Sequence, residues 1–298
     1  MDEADDATRI AALPCWRGRP RIAPLAGGMT NRNHLVEDAA GRHVVRIGVD
    51  MPHHMILRWH ERAVARAAHA AGLSPAISYA EPGLVVMDYV AGRSLTPDDL
   101  ADPSRLPAIA DLLRRCHRDV ARHVTGPMLA FWPFQVIRSY AAILRDGASP
   151  WTPRLPSLLA LAERLETDLG QLSAGLCHND LLAANMIDDG RRLWLIDWDY
   201  AGFGPPLFDL ANLASNNGLD EVVETTLLTA YFGGPPDAAI RRDMAAMRVA
   251  SALRETLWSM TSEMRPSVAF DYATYTRDCL ARLDQEVATR LPRAAGIL

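Results

Sequence analysis

A two-lobed α+β fold, with a small strand-rich front and a larger helical back, is what this chain predicts, on three observations. Up to about residue 90, short apolar runs rich in β-branched residues alternate with turn signals. Beyond residue 105 the apolar residues recur at helical spacing over long stretches. The chain has 298 residues, 49% apolar and 22% charged, enough for one large core or two modest ones without staples. The division falls between 1–91 and 92–298. A cleft between two such lobes is where ligands usually bind.

The elements follow in order. Leu35-Val36 and His43 to Ile47 flank the turn Asp38-Ala39-Ala40-Gly41 and read as a hairpin. From Ile56 to Ala71 the pattern is helical, and Gly72 and Pro75 stop it. Within that helix Leu57, Glu61, Val64, Ala68 and Ala71 form a single apolar stripe carrying one carboxylate. A buried Glu61 needs a cation, because an unpaired desolvated charge is costly. In a two-lobed fold of this kind Arg46, mid-strand between Val45 and Ile47, is the candidate; an Arg46 that snorkels to the surface is the other reading. Leu84 to Asp88 is a further strand. Two Pro-bearing stretches, Arg93 to Pro107 and Gly147 to Pro156, punctuate the chain. Helices are expected over 105–122, 134–145, 155–171, 219–232, 237–263 and 271–291.

Composition removes whole classes of chemistry. All 31 basic residues are Arg, so a P-loop lysine, a Schiff base and a lysine nucleophile are excluded. Against 36 acids the net charge is −5, which argues against non-specific nucleic-acid binding. Cys15, Cys116, Cys177 and Cys279 form no CxxC, and His53, His54 and His60 match no zinc spacing. No GxSxG occurs. The acidic start MDEADDATRI leads into no apolar run, and no run reaches the length of a membrane helix. The expectation is a reduced, cytoplasmic protein without membrane insertion.

The informative segment runs from Cys177-His178-Asn179-Asp180 through Asn185 to Ile196-Asp197-Trp198-Asp199. Between its halves, Met186-Ile187 and Leu193 to Ile196 flank Asp188-Asp189-Gly190, a strong hairpin signal. Asn185 enters that hairpin and Asp197 leaves it, so their side chains arrive at the same open end. Asp180 lies on the loop that feeds it. An amide oxygen and two carboxylates in one place suit Mg²⁺ bridging phosphates, with one acid free to accept a hydroxyl proton.

This H-x-D-x4-N pattern with a later Ile-Asp resembles the catalytic and metal loops of the aminoglycoside phosphotransferase and choline kinase superfamily, relatives of protein kinases. The resemblance implies a protein kinase-like bilobal fold, with a nucleotide-binding front lobe and a back lobe carrying catalytic loop and acceptor pocket. It implies Asp180 as catalytic base, Asn185 and Asp197 as Mg²⁺ ligands, and ATP as phosphoryl donor. His178 would organise the loop and Asp209 would brace it. The metal motif reads D-W-D, not D-F-G, which favours the small-molecule branch. Leu25 to Asn33 sits where the superfamily keeps its nucleotide loop, so Gly27, Gly28, Thr30 and Asn31 become phosphate-binding candidates. Arg46, paired with Glu61, would aim at the α- and β-phosphates, and Val-Val-Arg-Ile resembles the choline kinase-like strand. Leu84 to Gly92 looks like the hinge between lobes, where the backbone at Asp88 and Val90 would take the adenine edge.

The run from Asp197 through Tyr200-Ala201-Gly202 to Phe208-Asp209-Leu210-Ala211-Asn212 resembles bacterial choline/ethanolamine kinase-like proteins. Leu257-Trp258 and Phe270 to Tyr275 resemble that family's aromatic elements, which box a quaternary ammonium by cation–π contact. With Asp180, the residues Asp199, Tyr200, Asn216, Glu255, Trp258 and Tyr275 are therefore the acceptor-pocket candidates. A second reading stays open: Tyr275, Cys279, Leu283, Val287 and Leu291 recur at helical spacing, as core residues do. Two departures stand out. Glu255 replaces a Trp of eukaryotic choline kinases, and Asn216 an acid; Glu255 suits a primary amine instead. The expectation is an ATP- and Mg²⁺-dependent kinase for a small amino alcohol, choline or ethanolamine. Thiamine, an aminoglycoside or a sugar-like metabolite are alternative acceptors, and a nucleotide-binding pseudokinase scaffold is the alternative of another class. A homodimer and the choice between ATP and GTP are left open by the sequence.

Overall fold

Strand pairing and helix packing were followed in a computed structural model, which describes residues 3–25, 31–266 and 270–291. Helix α1 (Glu3–Ala11) precedes an antiparallel sheet of β1 (Arg21–Leu25), β2 (Arg32–Asp38), β3 (Gly41–Ile47), β4 (Ile77–Glu81) and β5 (Leu84–Asp88), ordered β1-β2-β3-β5-β4. The expected hairpin is β2–β3. Its turn is closed by Asp38, whose Oδ1 accepts from the Ala40 N–H at 2.8 Å. Period-2 alternation puts Val45 and Ile47 on one face, where they meet Val36, Leu84 and Val86 and the α1 residue Ile10. Arg46 points to the other face.

Between β3 and β4 lies helix α2 (Arg58–Ala70), one turn shorter in total than the apolar pattern. Asp50 holds its start by accepting the Arg58 N–H at 2.7 Å. The apolar residues Val64, Ala67 and Ala68 do not join the sheet's core; they pack into the large core of the helical body.

After β5 the chain passes Gly92, where a Cβ would press into the Asp188 carbonyl oxygen, so the crossing requires glycine. Then come β6 (Arg93–Ser94), a short α3 (Pro97–Ala101), α4 (Leu106–Asp119), α5 (Pro133–Asp146) and α6 (Leu155–Asp168). Strand β7 (Gly175–Cys177), the hairpin β8 (Met186–Asp188) and β9 (Leu193–Leu195), and β10 (Gly202–Gly204) build two small sheets, β10-β7 and β6-β8-β9. Helices α7 (Pro206–Asn216), α8 (Glu221–Phe232), α9 (Ala238–Met264) and α10 (Tyr272–Arg290) complete the body. The 27-residue α9 is its axis, touching α5, α6, α7 and α10.

Several elements had no counterpart among those expected from the sequence, and for β1, β4 and α7 the physical reason is plain. Strands β1 and β4 are the two edges of the sheet, and edge strands carry mixed burial rather than an apolar run. Helix α7 is buried on nearly every face, from Leu207 to Ser215, so it shows no amphipathic period. The expected 105–122 helix is α4 followed by a separate 3₁₀ turn, Val120–His123. Among the described residues no helix is long and apolar enough to cross a membrane.

Candidate active site

The loop after β7 is fixed from below by side chains of α7 and the turn that follows it. Asp209, fully buried, accepts the backbone N–H groups of His178 and Asn179 at 2.7 Å each, and lies 2.9 Å from His117 Nε2. Asn212 Oδ1 accepts the Leu181 N–H at 2.6 Å, and Asn217 Oδ1 the Ala183 N–H at 2.9 Å. These contacts hold Asn179 in the left-handed region at φ 65°; Asp197 sits there too, at φ 70°. Such conformations in non-glycine residues persist only where the surroundings enforce them. His178 is the internal strut. Its Nε2 lies 2.9 Å from the Ile196 carbonyl, which can only accept, so Nε2 donates and Nδ1 is left to accept the Asp180 N–H at 3.3 Å.

A 3₁₀ turn, Ala183–Asn185, then delivers Asn185 to the open end of the β8–β9 hairpin, where Ile196 N–H donates to the Asn185 carbonyl at 3.0 Å. The Asn185 amide donates to the Asp180 carbonyl at 3.0 Å, which leaves its oxygen as the outward acceptor. Asp180 itself is half-buried. Burial is the largest influence on its carboxyl; the Arg254 guanidinium opposes it, Glu255, Asp197 and Asp199 add to it, and the result is pushed up to about 7.

An ionic cluster lies beside this loop. Arg46 Nη1 reaches Glu61 Oε1 at 2.8 Å, Asp197 Oδ1 at 2.9 Å and Asp199 Oδ1 at 3.5 Å. Arg58 Nη1 reaches Glu61 Oε2 and Asp199 Oδ1, both at 2.7 Å. Asn31 Nδ2 donates to Asp199 Oδ2 at 3.2 Å. Burial disfavours the Arg46 cation, but Asp197, Glu61 and Asp199 outweigh it and raise its pKa. Among the described residues two guanidiniums face three carboxylates, a formal surplus of one negative charge. That surplus, the Asn185 amide oxygen and the second oxygen of Asp197 form a hard-oxygen donor set that fits a magnesium ion.

Two cavities meet here. One, of about 350 Å³, is lined by Val44, Arg46, Met87, Asp88, Val90 and Ile187. In it the Val90 peptide has no hydrogen-bond partner among the described residues. The other, of about 440 Å³, is lined by Asp180, Tyr200, Asn216, Glu255, Trp258 and Tyr275, with Asp199 at its wall. Asn185 and Asp197 line both. The Asp199 carboxylate is committed to Arg58 and Asn31. Trp258 is 4% exposed and donates its indole N–H to the Tyr200 hydroxyl at 2.7 Å, while the Tyr275 hydroxyl donates to Glu255 Oε1 at 2.8 Å. Thus Trp258 and Tyr275 border the cavity and pack against each other as well, with ring centroids 6.2 Å apart. Of the phosphate-loop candidates, Gly27, Gly28 and Thr30 lie outside the described residues.

Sequence reasoning missed Arg58, Asn212, Asn217 and Arg254. Arg58 was findable as the residue three before Glu61 on the same helix face. Arg254 was signalled only by being a charge within a buried stretch of α9.

A two-lobed phosphotransferase is the class that this fold and paired-cavity site define. The chain belongs to the phosphotransferase enzyme family, whose model matches residues 21–248. It is 30% identical over 213 residues to protein LicA of Haemophilus influenzae, covering 69% of this chain and 61% of that protein. To probable choline kinase 1 of Arabidopsis thaliana it is 27% identical, covering 87% and 84% of the two chains. A choline/ethanolamine kinase family protein from Mesorhizobium loti shares the fold, with TM-score 0.75, 24% identity and coverage of 96% and 95%.

Proposed function

We propose that this phosphotransferase moves the γ-phosphoryl group of ATP to the hydroxyl of a small amino alcohol, choline or ethanolamine. The observation that carries this reading is the meeting of the two cavities at Asn185 and Asp197, with Asp180 on the acceptor side alone. Relatives named as choline and ethanolamine kinases support the acceptor class.

In this reading the Asp88–Val90 backbone takes the adenine edge, and Arg46, steered by Glu61, holds the donor's phosphates. Asn31, with Gly27, Gly28 and Thr30 before it, belongs to the phosphate loop. Asn185 and Asp197 would hold Mg²⁺, which neutralises charge on the phosphates when bound. Asp180 accepts the acceptor's hydroxyl proton; its raised pKa makes it a stronger base than an exposed carboxylate. The bonds from Asp209, Asn212 and Asn217 keep that loop from relaxing. Asp199 and Tyr200 shape the acceptor pocket, and Asn216, Glu255, Trp258 and Tyr275 close it.

The test is ADP release coupled to a reporter, against choline, ethanolamine, thiamine and an aminoglycoside mixture, with Asp180→Ala as control. We expect turnover on choline or ethanolamine that falls by about 10²–10⁴ in the control, with ATP still bound. Turnover only on another alcohol would overturn the acceptor. ATP binding without turnover on any alcohol would favour a nucleotide-binding scaffold.

A further inference from the structure

Arg254 is the most deeply buried of the cavity's charged groups, 1% exposed, and it sits among the acceptor-pocket residues. Its Nη1 lies 2.9 Å from Glu255 Oε2 and 3.5 Å from Asp180 Oδ1, so one guanidinium nitrogen is shared by two carboxylates. Its central carbon stands 4.4 Å from the centroid of the Tyr200 ring. Nε and Nη2 find no hydrogen-bond partner among the described residues, which leaves the ring face as their compensation.

The other aromatic rings of the cavity are engaged with one another as well. Trp258 lies 5.2 Å from the His54 ring, tilted by 31°, and 6.3 and 6.2 Å from the rings of Tyr272 and Tyr275, the latter perpendicular to it. Tyr275 in turn meets Phe270 at 5.8 Å. A trimethylammonium group has no N–H and is recognised by open aromatic faces; a primary ammonium has three N–H groups and needs acceptors. Here the open groups are acceptors. Glu255 accepts one hydrogen bond on each oxygen, from Arg254 and from Tyr275, and a carboxylate has about four lone-pair sites.

We propose that Arg254 is the positioning and specificity-determining residue of the acceptor pocket: it fills the cation seat over Tyr200 and presents Glu255 to N–H donors, so the pocket selects a primary over a quaternary ammonium. This rests on the amino-alcohol reading above. Each methyl added to the acceptor nitrogen removes a donor to Glu255 and gains no ring face in return. Arg254 acts on selection through Glu255 and Tyr200; its contact with Asp180 is common to every acceptor and cancels in their ratio.

The experiment is a set of kcat and KM values for ethanolamine, its N-methyl and N,N-dimethyl derivatives and choline. It is run on the wild type, Arg254→Lys and Arg254→Ala, with a melting temperature for each. In the wild type kcat/KM should fall along the series by about tenfold or more, through KM. Arg254→Lys should keep the order. Arg254→Ala, which uncovers the Tyr200 face, should bring the ratio of ethanolamine to choline to about one. A uniform loss on all four acceptors with an unchanged ratio would make Arg254 a packing residue and overturn the proposal. So would a wild type that prefers choline, a result that needs no variant to fold. If all four are refused and another alcohol is phosphorylated, the amino-alcohol reading itself has failed and takes this one with it.

Discussion

Asp199 and Glu61 each carry a charge into a nearly dry site, and both depend on the same two arginines. Of the three carboxylates Arg58 reaches Glu61 and Asp199, at 2.7 Å each, with its side chain 7% exposed. Removing it leaves three carboxylates on Arg46. Deleting one partner of a buried ion pair costs about 3–5 kcal/mol, because the surviving charge stays desolvated. We therefore expect Arg58→Gln to lower unfolding stability in urea by about that amount. Arg62→Gln, which gives up only a 3.4 Å contact to the Glu81 carbonyl, should cost less than about 1 kcal/mol. Equal losses in the two variants would show that the cluster contributes nothing particular. Composition gave no cue to Arg58, since all 31 basic residues are Arg; its one cue was position, three residues before Glu61 on the same helix face.

At the scale of elements, α7 does for the loop after β7 what no local interaction could. A loop cannot satisfy its own backbone donors, and a buried unpaired N–H costs about 1–3 kcal/mol. Asp209 satisfies two of them at 2.7 Å each. In Asp209→Asn one carboxylate oxygen becomes an NH₂ group facing an N–H donor. The expected outcome is a loss of about 2–3 kcal/mol together with a fall in kcat of about 10²-fold, since a displacement near 1 Å at a reacting group has that effect. A variant that loses stability and keeps kcat would reduce Asp209 to a packing role. What the sequence disclosed at this level follows from the kind of signal each element emits. The β8–β9 hairpin announces itself through Asp189-Gly190 between apolar runs, and the register Ile187↔Trp194 carries Asn185 and Asp197 to one end. Its neighbour α7 is buried nearly all round, polar residues included, and emits no period. The Asn212 and Asn217 anchors are side-chain bonds to distant backbone, which leave no spacing to read. Strands β1 and β4 are edges, so only half of each is patterned.

Among the described residues there are two apolar cores of unequal size, and α2 packs into the larger while its Glu61 reaches the sheet. The sheet's own core is the small cluster of Val36, Val45, Ile47, Leu84 and Val86 with Ile10 and Leu13. Val64 and Ala68 of α2 belong instead to the large core that α9 runs through. What ties β3 to the helical body at the site is ionic: Arg46 to Glu61, Asp197 and Asp199. Regions with few buried apolar contacts open locally at lower free energy than the global transition. Native-state hydrogen exchange should therefore show amides of β2, β3 and β5 opening below the global free energy, and those of α7 and α9 close to it. By packing, α2 should exchange with α9, which would put the mobile unit at the five strands rather than at residues 1–91. ATP with Mg²⁺, bound between Arg46 on one side and Asn185 and Asp197 on the other, would bridge both bodies. It should therefore raise protection in β3 and β5 while leaving α9 unchanged. Arg58→Gln should lower protection in the sheet and in α2's first turn. If α2 exchanges with the sheet instead, the division at residue 91 is the physical one, and the ionic cluster, rather than apolar packing, decides which body the helix follows.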